Sequence, residues 1–172
     1  MKRILCYILL MLAFAACHRG PVGPQRPANR EGQSRRDSDL ITMLQVNERM
    51  AAEADREVLN YVLADSLTYA QCQQGAWVTR TTSMPDHEQP KMGEPVQLEM
   101  LIKTLDGQLL RDVAGEFTIG KGELPLGIEY AIRELRRDES GIILAPWHAA
   151  FGVDGDENIG PYTNVRIELT IH

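Results

Sequence analysis

Two stretches of the sequence alternate apolar and polar residues at every second position. Their apolar members are Val96, Leu98, Met100 and Ile102 in the first stretch and Val165, Ile167, Leu169 and Ile171 in the second. Because successive side chains of a strand point to opposite faces of a sheet, this period of two predicts strands with one buried face. The alternation therefore commits the second half of the chain to a sheet.

Shorter signals complete the predicted sheet. Asp106-Gly107 is typical of a hairpin turn directly after the first alternating strand. Further strands are predicted at residues 77–79, 117–119 and 142–144, and one short helix has its apolar face at Ile128, Ile132 and Leu135. Several antiparallel strands around one short helix describe an α+β domain, which we place at residues 76–172.

A helical pattern precedes this domain. Apolar residues recur mostly at steps of three or four, at Leu40, Leu44, Ala51, Ala54, Val58 and Val62. They predict a helix from about Asp39 to Leu63, with Ser38 as its N-cap, and a second short helical piece to about Gln73. We define residues 38–75 as this helical segment. Its apolar stripe needs cover, either from the following domain or from a second copy in a dimer.

The N-terminus has the pattern of a secretory signal. Lys2 and Arg3 are followed by the apolar run 4–13, and Cys17 comes directly after two alanines. This stretch resembles a bacterial lipobox, which would make residues 1–16 a signal peptide and Cys17 the lipidated N-terminus; the alternative is an ordinary signal peptide cut nearby. Residues 17–37 are proline-rich and polar, which predicts a flexible tether. We expect a membrane-anchored lipoprotein of the bacterial envelope, facing the periplasm.

Charge and cysteine content restrict the classes of partner that the chain can have. The formal net charge is −6, and removal of Lys2 and Arg3 with the signal peptide lowers it to −8. An acidic chain argues against nucleic acid as a partner. With Cys6 removed and Cys17 acylated, Cys72 has no partner for a disulfide within the chain. We therefore expect other proteins, and the membrane through the lipid, as partners.

The order of motifs resembles an FKBP-type peptidyl-prolyl cis-trans isomerase over residues 90–172. The matching motifs are Pro90-Lys91-Met92-Gly93, Asp106-Gly107, Gly120 before Glu123-Leu124, Gly127 at the helix start, Pro146 before Ala150-Phe151-Gly152, and Ile159-Gly160-Pro161-Tyr162. The resemblance implies an antiparallel sheet wrapped around one short helix. The preceding helix, the break at Asp65-Ser66 and Trp77 are more specifically similar to FKBP-type lipoproteins associated with gliding motility.

The resemblance implies a pocket that receives a proline ring of a polypeptide substrate and needs no cofactor and no metal. The implied catalytic residues are Phe151, Leu124, Ile128 and Ile167. The implied substrate-binding residues are Met100, Leu110, Phe117 and Tyr162.

Asp154, Asp156 and Asn158 have the spacing of a calcium loop. The glycine expected next is Ile159, however, and the glutamate expected at the twelfth position is Val165, which favours a solvated loop.

Several positions depart from the family pattern. They are Met100, Leu110, Arg111, Pro125, Ile128 and Phe151. Phe151 keeps an aromatic ring but lacks a hydroxyl, and Pro125 has no N–H to offer a ligand. The predicted site is therefore apolar and poor in hydrogen-bond donors, and we expect a weak isomerase.

Two other functions compete with the isomerase. The first is a catalytically degenerate FKBP-like chaperone or binding module, favoured by the missing donors. The second is a component of an envelope assembly that docks through residues 38–63. Rotation about an X–Pro bond requires neither a nucleophile nor an acid–base pair, so the absence of a charged catalytic cluster does not exclude the enzyme.

Overall fold

The computed structural model describes residues 30–172. The predicted signal peptide, Cys17 and the first part of the predicted tether lie outside this range. The elements are α1 (Arg30–Ala64), β1 (Ala70–Gln71), β2 (Trp77–Arg80), β3 (Pro95–Thr104), β4 (Leu109–Thr118), α2 (Leu126–Ile132), β5 (Ser140–Ala145) and β6 (Val165–Ile171). The chain divides into two compact units, Met1–Met43 and Leu44–His172, and α1 contributes residues to both.

One six-stranded antiparallel sheet forms the body of the second unit, in the order β1-β2-β5-β6-β3-β4. The alternating residues of β3 and β6 face the same side and are at most 3% exposed. Helix α2 covers this face with Ile128 and Ile132, which are both buried in the same apolar cluster. The predicted α+β class, with its antiparallel sheet around a short helix and a preceding helix, is confirmed.

The end of α1 covers part of the opposite face. Val58 on α1 is fully buried and packs with Tyr69, Ile142 and Leu144, the last two from β5. Val58 is therefore covered by the following domain of the same chain, which is one of the two alternatives given above for the apolar stripe. Leu44, at the start of the second unit, is 54% exposed.

Two local predictions about the N-terminal half are wrong. Helix α1 begins at Arg30, so Ser38 is an interior residue and not an N-cap, and residues 30–37 of the predicted tether are helical. Residues 30–38 include good helix formers and no proline, so they favour a helix over a flexible tether.

The second helical piece, predicted to run to about Gln73, is absent from the described chain. Instead Ala70 and Gln71 pair with β2 as an edge strand, and a 3₁₀ turn follows at Gln73–Gly75. Gln74 and Gly75 have φ values of 67° and 85°, which end any helical course there. Pairing with the sheet thus outweighs the local helical preference.

A buried carboxylate fastens the segment between β2 and β3. Glu139 is 1% exposed and accepts hydrogen bonds from the backbone N–H groups of Met84 (2.9 Å) and Arg136 (2.8 Å) and from Arg80 Nε (3.2 Å). Burial alone would raise the pKa of Glu139. The two N–H donors and the guanidinium outweigh burial and leave this pKa below its ordinary value of 4.5.

Close backbone approach brings α2 against the segment after β5. A Cβ atom on Gly127 would lie 2.4 Å from the carbonyl oxygen of Ala149, so only glycine fits at this contact. Pro146 and the 3₁₀ turn Trp147–Ala149 end β5 at this point.

Among the described helices, none is both long and apolar enough to cross a bilayer.

Candidate functional site

A cavity of about 370 Å³ lies between the sheet, the loop before α2 and the segment 146–164, which we call the flap. Strand β3 contributes Met100 and Ile102, and β4 contributes Arg111, Val113 and Phe117. The remaining lining residues, from the loop and the flap, are Gly122, Glu123, Leu124, Pro125, Ala150, Phe151 and Asp156. Its volume falls in the range of about 300–1,000 Å³ that is usual for ligand sites.

The pairing of β3 with β4 explains why these strand residues meet. Met100 is paired with Val113 and Ile102 with Arg111, and Phe117 lies four residues further along β4 on the same face. After Ile102 the register shifts, so that Lys103 pairs with Leu109. Such a bulge leaves Leu110 as an extra residue without a ladder partner.

Hydrogen bonds within the flap fix its course. Trp147 N donates to Asn164 Oδ1 at 2.8 Å, which joins the two ends of the flap. Gly152 N donates to Trp147 O (2.8 Å), and Tyr162 N donates to Gly152 O (3.1 Å). These bonds hold the stretch around Phe151 as a compact loop at the edge of the cavity.

Helix α1 supports the flap from outside the cavity. Asp55 Oδ1 lies 2.8 Å from His148 Nε2, and Glu57 Oε2 accepts a hydrogen bond of 2.6 Å from Asn164 Nδ2. Because His148 and Asn164 lie near opposite ends of the flap, the helix contacts the flap at both ends. All four residues belong to the second unit.

Four of the eight site residues predicted from the sequence line the cavity. They are Met100, Phe117, Leu124 and Phe151. Ile128 and Ile167 are buried in the adjoining core at 1% and 0% exposure, so they support the cavity without lining it. Leu110 is half-buried against the same core.

Tyr162 lies apart from the cavity. Its side chain is 40% exposed, and its ring meets that of Trp147 edge-on, with centroids 5.0 Å apart. The structure therefore places this aromatic pair on the flap and does not bring Tyr162 among the lining residues.

Sequence reasoning gave no role in the pocket to the charged pair at the cavity edge. Arg111 Nη1 lies 2.5 Å from Asp156 Oδ2, and both side chains are partly exposed. Arg111 is a charged residue on the inward face of β4. It pairs with Ile102 of β3, and Val113 is the next inward residue of its own strand. A charge at an inward position of an alternating strand was the signal that could have marked it.

A larger depression, about 650 Å³, is lined by residues of the opposite sheet face. Its lining residues include Glu99, Asp112, Arg166 and Glu168. Hydrogen bonds from Lys103 and Arg166 hold the pKa of Glu168 below its ordinary value, which marks a satisfied surface network. We assign the candidate site to the smaller cavity because eight of its twelve lining residues are apolar, whereas four charged residues line the larger depression.

No protein-family model matches the sequence, and no curated protein matches it. The solved structures that share its fold include the following two. A peptidyl-prolyl cis-trans isomerase from Pseudomonas syringae pv. tomato DC3000 is 17% identical, with a TM-score of 0.61 over 72% of this chain and 92% of that one. The three FKBP domains of wheat FKBP73 give 16% identity and a TM-score of 0.57, over 61% of this chain and 49% of that one. The chain has an FKBP-type fold.

Proposed function

We propose that this chain is a peptidyl-prolyl cis-trans isomerase that acts on X–Pro bonds of proteins in the bacterial envelope. The observation that carries the proposal is the apolar cavity of about 370 Å³ bounded by β3, β4 and the flap in an FKBP-type fold. The two fold relatives, one named as an isomerase and one as FKBP domains, support the proposal.

The chemistry needs little more than such a cavity. Rotation about the X–Pro bond faces a barrier of about 18–20 kcal/mol because the amide is conjugated. A water-poor pocket disfavours the polar planar amide relative to the less polar twisted state. Phe117, Leu124 and Phe151 supply such walls around the proline ring.

The deciding experiment is cis–trans exchange of the peptide Ala-Leu-Pro-Phe, followed by NMR with and without the full chain in detergent micelles. We expect faster exchange with the wild type and at least a tenfold smaller enhancement with Phe151→Ala. Val153→Ala is the matched control, since Val153 lies on the same flap, is 43% exposed and does not line the cavity. Unchanged exchange at micromolar protein, with the domain folded, would rule out the enzyme.

A second candidate is a binding module that keeps the fold without the activity. Phe151 has no hydroxyl and Pro125 has no N–H, so two positions at the cavity offer no donor to a peptide. This function predicts binding of extended chains that does not depend on proline. Titration with two peptides that differ only by proline or alanine separates it from the isomerase.

For the location we propose a lipid anchor at Cys17 on the periplasmic side of an envelope membrane. Two or more acyl chains would give stable anchoring, because each buried methylene contributes about 0.8 kcal/mol. We expect cells supplied with labelled palmitate to label the wild type and not Cys17→Ser. Equal label in the two proteins, or no label in the wild type, would contradict the anchor.

For partners we propose, beside proline-containing polypeptides, an envelope complex that binds residues 38–63. Leu40 and Leu44 on α1 are 58% and 54% exposed, which leaves apolar side chains available for contact. The double substitution Leu40→Glu with Leu44→Glu should abolish co-purification of partners, while Glu53→Gln on the same helix should not. Equal recovery with both variants would remove the proposal.

A further inference from the structure

The Arg111–Asp156 pair lies at the edge of the cavity. Arg111 comes from β4 and Asp156 from the flap, and their side chains are 33% and 41% exposed. Both residues line the cavity. The guanidinium therefore lies at the edge of the cavity, where Asp156 Oδ2 contacts its Nη1 at 2.5 Å.

Among the residues that line the cavity, Arg111 has the only side chain that can donate a hydrogen bond at neutral pH. The others are apolar residues, glycine and proline, and the carboxylates of Glu123 and Asp156. Glu123 Oε2 already accepts a hydrogen bond of 2.7 Å from Thr118 N. The guanidinium has five N–H groups, and its contact with Asp156 uses one of its nitrogens.

A donor near the X–Pro bond has a specific chemical use. In the planar amide the lone pair of the proline nitrogen is delocalised into the carbonyl, so this nitrogen accepts hydrogen bonds poorly. Twisting the bond breaks the conjugation and localises the lone pair on nitrogen. A hydrogen bond to this nitrogen therefore forms in the twisted state and lowers the barrier by differential binding.

The surroundings of Arg111 strengthen such a bond. Val113 and Phe117 lie on the same face of β4 and line the same cavity, so a peptide bound there would displace water from the side of the guanidinium that faces it. Asp156 fixes the guanidinium before substrate arrives, which reduces the reorganisation needed during the reaction.

We propose that Arg111 is a catalytic residue whose guanidinium donates a hydrogen bond to the proline nitrogen of the twisted X–Pro bond. Asp156 is its positioning residue. The proposal rests on the isomerase function proposed above. It assigns the electrostatic stabilisation of the twisted X–Pro bond to one side chain.

The test measures kcat and KM for the isomerisation of Ala-Leu-Pro-Phe by the full chain in detergent micelles. Arg111→Met removes the donor and keeps an apolar stem, and Arg111→Lys keeps the charge without the planar fork. We expect Arg111→Met to lower kcat by about ten- to a hundredfold while KM stays within about twofold. Arg111→Lys should lie between Arg111→Met and the wild type.

The matched control is Arg137→Met. Arg137 Nη2 lies 3.4 Å from Glu94 Oε2, with side chains 36% and 38% exposed, and neither residue lines the cavity. Loss of this second half-exposed ion pair should leave kcat unchanged. Backbone NMR spectra of each variant verify that it is folded.

The outcomes distinguish the role of Arg111 from the isomerase function itself. An active wild type with a loss of kcat in Arg111→Met, and none in Arg137→Met, supports the proposal. An active wild type with full kcat in Arg111→Met, or with a loss confined to KM, overturns the role of Arg111 and leaves the isomerase in place. A folded wild type that does not accelerate exchange overturns both.

Discussion

Two arginine–carboxylate pairs in the second unit differ in how completely they are enclosed. Glu139 is 1% exposed, and three donors surround it, of which Arg80 is one. Asp156 is 41% exposed on its side chain, and it meets Arg111 at the edge of the cavity. The first pair joins two segments of the chain, whereas the second lines the candidate cavity.

The difference shows how burial and number of partners assign a role to a charge. A buried carboxylate is tolerated only when its hydrogen-bonding capacity is filled, and removal of its partners exposes the full cost of desolvation. A half-exposed pair contributes little to folding because water already solvates it. Glu139 is therefore a structural residue, and the Arg111–Asp156 pair is free to serve function.

The largest effect is expected from Glu139→Ala. The substitution leaves the N–H groups of Met84 and Arg136 without an acceptor in a buried site, so the free energy of unfolding should fall by about 3 kcal/mol. Urea denaturation followed by circular dichroism measures the change. Glu116→Ala, an exposed position on β4, is the control, and equal losses in the two variants would contradict a structural role for Glu139.

A smaller effect is expected from acid. The pKa of Glu139 in the folded protein lies below its ordinary value of 4.5, so its contribution to stability is present above pH 4.5 and is lost as the pH falls through the folded pKa. The difference in unfolding free energy between the wild type and Glu139→Gln should therefore narrow as the pH is lowered from 6 towards 3. A constant difference would show that the charge of Glu139 contributes nothing.

The smallest effect is expected from Asp156→Asn. Since the Arg111–Asp156 pair is partly exposed, its loss should change the unfolding free energy by less than about 1 kcal/mol at low salt. The change should shrink further near 1 M NaCl, where charges are screened within about 3 Å. A loss as large as that of Glu139→Ala would remove the distinction between the two pairs.

The regular part of the fold could be predicted because its signals are local. The alternation at Val96–Ile102 and at Val165–Ile171 specifies which face each strand buries, and the structure pairs β3 with β6 accordingly. The edge strand at Ala70–Gln71 could not be predicted in this way. Two residues have no period of their own, and their conformation depends on β2 as a partner.

The part of the candidate site that could be predicted is the part that the order of the family's motifs specifies. Met100, Phe117, Leu124 and Phe151 follow from the resemblance and line the cavity. Leu110 shows the limit, because the register shift after Ile102 is not visible in the sequence. The meeting of Arg111 with Asp156 depends on the course of the flap, which no local pattern encodes.

The packing of α1 on the sheet face opposite α2 determines which fragment of the chain should remain folded and soluble on its own. Val58 shields Ile142 and Leu144, and Asp55 and Glu57 reach the flap through His148 and Asn164. A fragment that starts at residue 76 would carry a bare apolar patch on β5 and an unsupported flap, and we expect it to aggregate. The shortest soluble form should instead start near Leu44, where the second unit begins.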